Sequence, residues 1–530
     1  MSGVATRRAA LIRRLVWAAP LPLLVGSYPV LFLFAYNIDD QVTLEPLWGP
    51  LATAVAGMAL AFLVATVAVR DVVRGALLAS LGGALFFGYG HALNAAQDWL
   101  PSPWLLVAAW VVIAVIGAAL IVRGGRWISP SIRAVTLVAA VAVALNVWTI
   151  GSYTITGGGL VHAASGGQDG ALRLTPEDEP RDIYYIILDR YAGLEALAAA
   201  YGHDNTPFYE ALEERGFFTA RGSYANYIKT APSLVSSLSM NYLDANALAT
   251  EQDDGADRGP IHSRLRGELP VPHALTQAGY SYLHIANWWE PTITNADADR
   301  TYHYEGQSEF SAVLAQTTLW RAFSAPDATP EDPWDWTVLR QHSEYELEKL
   351  DAVAGLGGPK YVFAHFLLPH DPYVFDVDGS FMDREQVAAQ GQTESYLRQL
   401  EFTNRSFLEI IDHILAESEV PPVILLQADE GPFPDRYREA GEWGFDWTDA
   451  TRDELVEKFN ILNAYLLPDV DPAEVGLTST TSPVNSFRMV FNAYFGTDLP
   501  LLEDRSFAHT DLDHFFEFFE ITDQLRGDDG

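Results

Sequence analysis

Apolar residues follow two rhythms along this chain. Before residue 156 they form long unbroken stretches, near Leu15–Tyr36, Leu51–Val69, Ala76–Leu93, Trp104–Val122 and Ala134–Ile155. Most approach the roughly 20 residues that a helix needs to cross bilayer hydrocarbon. The pattern therefore predicts five transmembrane helices, with the glycine-containing Ala76–Leu93 stretch the shortest. After residue 181 the apolar runs are short and alternate with helical patterns. Ile183–Leu188, Tyr280–Ala286, Tyr361–Leu368, Val423–Leu426 and Ile461–Leu467 are near-continuous runs, the mark of strands buried on both faces. Between them Leu194–Tyr201, Thr206–Arg215, Ser233–Tyr242, Pro272–Ala278, Glu344–Ala354 and Glu394–Ala416 carry helical spacing. This alternation predicts an α/β domain with a central, mostly parallel sheet flanked by helices. Residues 156–180, with GGG at 157–159 and PEDEP at 176–180, read as a flexible linker. The expected organisation is a transmembrane domain over 1–155, a linker over 156–180 and a second domain over 181–530.

Charge sharpens the division. Residues 1–155 carry nine Lys/Arg against five Asp/Glu, and the rest carries 24 against 64. So acidic a second domain excludes nucleic acid as a partner held by a general surface field. Any anionic substrate must be held by local cations. The loops between apolar stretches alternate in sign. Arg7, Arg8, Arg13 and Arg14 precede the first, Asp39, Asp40 and Glu45 follow it, Arg70 and Arg74 flank Asp71 after the second, Asp98 follows the third, and Arg123, Arg126 and Arg133 follow the fourth. The positive-inside rule then predicts a cytoplasmic N-terminus, and five crossings put the C-terminal domain outside the plasma membrane. The spans lack interior charges, which argues against a transporter role. With no cysteine in the chain, disulfides, thiolate metal sites and cysteine nucleophiles are excluded.

Open α/β sheets bind ligands beyond the carboxyl ends of their strands. Asp189 ends the first run, His365 and His370 lie in and after the third, and Asp429-Glu430 follow the fourth. Thr230 precedes Ala231-Pro232 and a helical pattern, so it stands either as a simple N-cap or at an anion-binding helix start. An Asp ending a buried strand needs a compensating partner, either a metal or the neighbouring Arg190. Asp189, Thr230, Asp429 and Glu430 together supply four oxygen donors, a set suited to Mg²⁺, Mn²⁺ or Ca²⁺. His370 and His365 are candidate proton donors to a leaving group, His365 having core packing as its alternative. Trp288 and Trp289 are candidates for stacking on a substrate, or for packing. Lys229, Arg300 and Arg436 are candidate anion clamps.

In order and spacing, IYYIILDRY (183–191), NYIKTAPSLVSSLSMNYL (226–243), AHFLLPHDPYVF (364–375), ILLQADEGP (424–432) and the tail at 482–507 resemble the alkaline phosphatase superfamily. The likeness is to its sulfatase-like branch, which includes lipoteichoic acid synthases and phosphoglycerol transferases. The resemblance implies that Asp189 is an acidic metal ligand, Thr230 the metal-bound nucleophile that becomes phosphorylated, Asp429 a metal ligand and His370 a substrate contact. Glu430 stands where the family usually has His, which favours one Mn²⁺ or Mg²⁺ over Zn²⁺. Thr230-Ala231-Pro232-Ser233-Leu234 lacks both the convertible Cys or Ser and the Arg of formylglycine sulfatases. The implied activity is transfer of a phosphoryl group from a membrane lipid headgroup, or to an envelope glycan, through phosphothreonine. Its rivals are a hydrolase using the same site and a membrane-anchored scaffold whose site has decayed. Oligomeric state has no sequence signature.

Overall fold

The computed structural model describes residues 14–38, 44–96, 102–125, 128–156, 172–175, 179–252, 255–267, 269–304, 309–324, 335–441 and 443–527. Most of the expected linker, together with Arg7, Arg8, Arg13, Asp39, Asp40, Asp98 and Arg126, lies outside the described residues. The chain divides into two compact units. One comprises Met1–Val161 with Gln307–Asp335, the other His162–Gly306 with Trp336–Gly530. The expected continuous second domain is thus interrupted, because the described residues Glu309–Ser324 pack with the membrane helices.

In the first unit five helices are long and apolar enough to span a bilayer: α1 (Arg14–Tyr36), α2 (Pro46–Val69), α3 (Val72–Ala96), α4 (Trp104–Arg123) and α5 (Ile132–Ser152). They match the five apolar stretches, and the shortest one proves to be part of a 25-residue helix. Small residues allow close packing between them. A Cβ at Gly26 would lie 2.5 Å from the Met58 side chain, and one at Gly75 would lie 2.2 Å from Thr66. The returning helix Glu309–Thr317 packs Phe310 and Leu314 into a cluster with Val30, Phe34 and Ile150.

The second unit is built on a seven-stranded sheet. Its strands are β1 (Ile183–Leu188), β2 (Phe218–Thr219), β3 (Ser281–Ile285), β4 (Arg300–Tyr302), β5 (Lys360–Phe366), β6 (Val423–Gln427) and β7 (Asn463–Leu466). The order is β2-β7-β6-β1-β5-β3-β4. The five strands from β6 to β4 are parallel, β7 runs against them, and β2 pairs antiparallel with β7 and so runs with the five. β1, β5 and β6 are buried along their whole length, as their unbroken apolar runs require. The short edge strands β2 and β4 carry no apolar run and escaped the pattern. At the amino end of β5 the buried Lys360 ammonium pairs with Asp182, just before β1. Helix α6 (Thr230–Ser239) begins three residues before the apolar spacing suggested.

Helix α7 (Trp336–Ala354) covers β3 and β5 and turns Leu339, Glu346, Leu350 and Val353 inward. Glu346 is buried and neither of its carboxylate oxygens has a hydrogen-bond partner. Burial pushes its pKa well above the ordinary value of 4.5, so the folded state holds it protonated. The folded chain then binds one proton more than the unfolded chain at pH above 4.5, and stability falls as pH rises toward the folded pKa. Glu346→Leu removes this penalty. Its melting temperature should exceed that of the parent at pH 8, and the gain should shrink as pH is lowered toward 4.5, measured by thermal denaturation in detergent.

Candidate metal and phosphoryl site

Register builds the site. In the parallel pair β1–β6, Ile187 lies opposite Gln427, so Asp189 and Asp429, each two residues further on, emerge side by side. Adjacent strands are about 4.8 Å apart. In the pair β1–β5, Ile187 lies opposite His365. Side chains alternate along a strand, so His365 shares the face of Ile187 and Asp189. One ligand atom each from Asp189, His365 and Asp429 lie within 4.8 Å of one another, and the three residues are only 3%, 1% and 3% exposed.

The group is under-satisfied. Asp189 Oδ1, both Asp429 oxygens and His365 Nε2 lack hydrogen-bond partners, a costly state for buried polar atoms. His365 Nε2 lies 3.5 Å from Asp189 Oδ2. On the far side of the ring, Thr292 Oγ1 lies 3.1 Å from Nδ1 and donates to Asn287 Oδ1 at 3.0 Å, while Asn287 Nδ2 donates to the His365 carbonyl at 2.7 Å. In one consistent arrangement Nδ1–H donates to Thr292, which turns the Nε2 lone pair toward the carboxylates. That is the tautomer a metal requires. Burial pushes both acids upward. For Asp189 this is outweighed by His370, His365 and Arg190, and its pKa falls below the usual range. Asp429 stays raised, by burial and then by the neighbouring charges of Asp189 and Glu430. A divalent cation would let both ionise. These orphaned donors fit one.

Thr230 is the first residue of α6, and Lys229 is the N-cap without any side-chain capping bond. The N-cap reading of Thr230 is therefore replaced. Its hydroxyl stands beside Asp429 and lowers that acid's pKa. The uncapped amides of this helix start are an anion seat.

Glu430 lies outside the Asp189–His365–Asp429 group, although its Oε2 is likewise buried without a hydrogen-bond partner. Its Oε1 is 2.8 Å from the fully buried Lys458 ammonium and 3.6 Å from Arg190 Nε. Arg190, expected as the partner of Asp189, instead pairs with Asp371 and Glu430. It holds a left-handed backbone at φ 58° immediately after Asp189, a strained conformation for a residue with a Cβ. The Lys458 ammonium lies 3.4 Å from the Phe433 ring centre, with Lys229 at 4.5 Å and the Arg190 guanidinium at 4.6 Å from the same ring. Burial lowers Lys458 to about 7, with Arg190 and Lys229 adding to the fall and Glu430 opposing it. Three basic groups therefore gather around the Phe433 ring, one of them from Lys229, the residue before Thr230. Lys458 was not singled out from sequence, and Arg190 was considered there only as an alternative partner of Asp189. A lysine in the buried helix Arg452–Phe459 was the available signal.

His370 is close enough to Asp189 to be the strongest charge acting on it. Its own pKa is lowered, first by burial and then by Arg190, with Asp371 and Asp189 opposing the fall. Trp289 lies edge-on to His365 at 5.8 Å, while Trp288 is half-buried. Two expected clamps have other partners. Arg436 forms a two-pronged pair with Glu454 (2.7 and 2.8 Å), and Arg300 stacks on Tyr302 in the edge strand β4.

A family model described as Sulfatase matches residues 181–460. No curated protein matches the chain. The C-terminal periplasmic domain of EptC from Escherichia coli, in complex with Zn, is 14% identical with a TM-score of 0.42, covering 65% of this chain and 97% of that one. The integral membrane protein lipooligosaccharide phosphoethanolamine transferase A (EptA) from Neisseria meningitidis is 13% identical with a TM-score of 0.35, covering 90% and 95%. The C-terminal periplasmic domain of phosphoethanolamine transferase EptC from Campylobacter jejuni is 13% identical with a TM-score of 0.38, covering 63% and 95%.

The ligand assignment separates neighbouring acids. Asp189→Asn, Asp429→Asn and His365→Ala should each weaken Mn²⁺ or Zn²⁺ binding by at least about 10-fold, whereas Glu430→Gln should stay within about 3-fold of the parent. Isothermal titration of the metal into chelator-treated protein measures this. Equal losses for Glu430→Gln and Asp189→Asn would return Glu430 to the ligand set.

Proposed function

This chain belongs to the sulfatase family, and on that premise we propose that it is a membrane-bound, metal-dependent phosphoryl-group transferase acting on a lipid headgroup or an envelope glycan through phosphothreonine. The observation that carries this reading is the juxtaposition of Thr230, at an uncapped helix start, with the buried and unsatisfied Asp189–His365–Asp429 group. Sulfate-ester hydrolysis through formylglycine is disfavoured because Thr230 stands where the convertible Cys or Ser would be. A decayed site is disfavoured because the unusual Glu430 is built into a buried pair with Lys458 while the metal group keeps its unpaired donors.

A divalent metal held by Asp189, Asp429 and His365 would acidify the Thr230 hydroxyl and neutralise charge on the phosphoryl oxygens. With a ring nitrogen among the donors, Zn²⁺ and Mn²⁺ suit the set better than Ca²⁺ or Mg²⁺. Thr230 Oγ1 forms a bond to phosphorus, its proton leaving toward the Asp429 carboxylate beside it. The bond from phosphorus to the departing alcohol breaks, and that oxygen keeps the electron pair and takes up the proton carried by His370. The α6 amides and the cations of Arg190, Lys229 and Lys458 hold the phosphoryl oxygens. An acceptor alcohol then gives its proton to the His370 ring left neutral by the first step, attacks phosphorus and releases Thr230, whose oxygen takes back the proton held by Asp429. Water as acceptor would make the same site a hydrolase. The loop charges of the membrane unit support a C-terminal unit outside the plasma membrane, where lipid headgroups and envelope glycans are within reach.

The test is the covalent intermediate. Incubation of the full chain with phosphatidylglycerol or phosphatidylethanolamine and Mn²⁺ or Zn²⁺ should add a phosphoglycerol or phosphoethanolamine group to the Thr230 peptide, read by mass spectrometry. Thr230→Ala should abolish the adduct and lower turnover at least about 1000-fold. Full turnover by Thr230→Ala refutes the nucleophile.

A further inference from the structure

The chain has four lysines, Lys229, Lys349, Lys360 and Lys458, and two of the four meet on one aromatic ring. The Lys458 ammonium lies 3.4 Å from the centre of Phe433, with Lys229 at 4.5 Å and the Arg190 guanidinium at 4.6 Å. In a chain of net charge −36, composition alone does not bring three basic side chains to a single phenyl ring. Each of them belongs to a different arm of the site. Arg190 follows Asp189 beyond β1, Lys229 precedes Thr230 at the start of α6, and Lys458 pairs with Glu430, the residue after Asp429. Phe433 is where the three arms meet.

The ring is firmly seated. Pro432 and Pro434 flank it and restrict its backbone. Gly431 N–H donates to the Lys458 carbonyl at 2.7 Å, and the Lys458 ammonium donates back to the Gly431 carbonyl at 2.9 Å. A Cβ at Gly431 would fall 2.3 Å from the Glu457 carbonyl oxygen, so the loop lies backbone to backbone on the helix Arg452–Phe459. Tyr437 stacks on Phe433 with ring centres 4.2 Å apart, and Lys229 Nζ donates to Tyr437 Oη at 3.2 Å. Phe433 and Tyr437 are buried, whereas Arg190, Lys229 and Thr230 are half-buried and touch solvent. Like charges gathered this closely repel, and an aromatic face attracts a cation most strongly where water is excluded. Carboxylates meet two of the three, Glu430 at Lys458 and Asp371 at Arg190. A carboxylate cancels the charge that it holds. A phenyl ring holds a cation and leaves its charge intact for an incoming anion. The lysine ammonium is a compact point charge of the kind that binds phosphate.

We infer that Phe433 is a positioning residue that sets Arg190, Lys229 and Lys458 as one clamp for the oxygens of a phosphoryl dianion. The inference rests on the proposed reading of the site as one that takes a phosphoryl group. Inorganic phosphate is the probe, titrated by calorimetry into the full chain in detergent after loading with Mn²⁺. Phe433→Leu keeps an apolar side chain and removes the π face. It should weaken phosphate binding at least about 10-fold while Mn²⁺ affinity stays within about 3-fold of the parent. Phenylalanine bearing one, two or three ring fluorines at position 433 keeps the packing and withdraws electron density from the face. Phosphate affinity should fall stepwise along that series, again with Mn²⁺ affinity held. Phosphate binding that ignores fluorination overturns the inference, because packing alone would then account for the ring. A parent that binds no phosphate overturns it too, as does a fluorinated series that loses Mn²⁺ and phosphate affinity in parallel. The Thr230 adduct keeps the two readings apart. An adduct in the parent without any fluorine dependence removes the clamp alone, and fluorine dependence without an adduct removes the transfer alone.

Discussion

Two carboxylates buried side by side cannot both stay charged without a cation between them. Asp189 and Asp429 are brought to that position by the parallel pairing of β1 and β6, and no hydrogen bond satisfies the Asp429 oxygens. The cost is expressed in opposite pKa directions, Asp189 pulled down by the positive groups around it and Asp429 pushed up by burial and by its acidic neighbours. In the proposed reaction, metal affinity, the acidity of the Thr230 hydroxyl and the placement of the phosphoryl group would all follow from how that repulsion is relieved. The sheet has to supply the rigidity. Fully buried strands on both sides of β1 prevent the two acids from moving apart.

The same electrostatic accounting explains Glu430. A third carboxylate next to Asp429 would worsen the repulsion if it faced the cluster. It faces Lys458 and Arg190 instead, and those cations gather with Lys229 around the Phe433 ring. The acid thus keeps two buried positive groups compensated at the edge of the anion seat. His365 supplies the third donor of the metal group, and replacing an oxygen by a ring nitrogen makes the set less hard. Strand register, rather than adjacency in sequence, selects the residues that meet, and it sets His365 beside the expected oxygen donors Asp189 and Asp429.

The membrane unit is held by a different balance. Close-packing glycines let α1, α2 and α3 approach, and the returning segment Glu309–Ser324 docks on α3 backbone to backbone at Gly90.

The five spans, the mostly parallel sheet and most of its helices could be read from sequence, because unbroken apolar runs and helical spacing report burial directly. Asp189, Asp429 and His370 stood out as polar residues just beyond such runs, and Thr230 as one just before a helical pattern. The edge strands β2 and β4 were not, since short half-exposed strands carry no run. Nor was the return of Glu309–Ser324 to the membrane helices. Composition along the chain determined where lipid ends and a folded α/β unit begins. Only the tertiary structure decided that His365 joins the two acids while Glu430 turns to Lys458, since hydrogen-bonded register between strands far apart in sequence sets which side chains share a face.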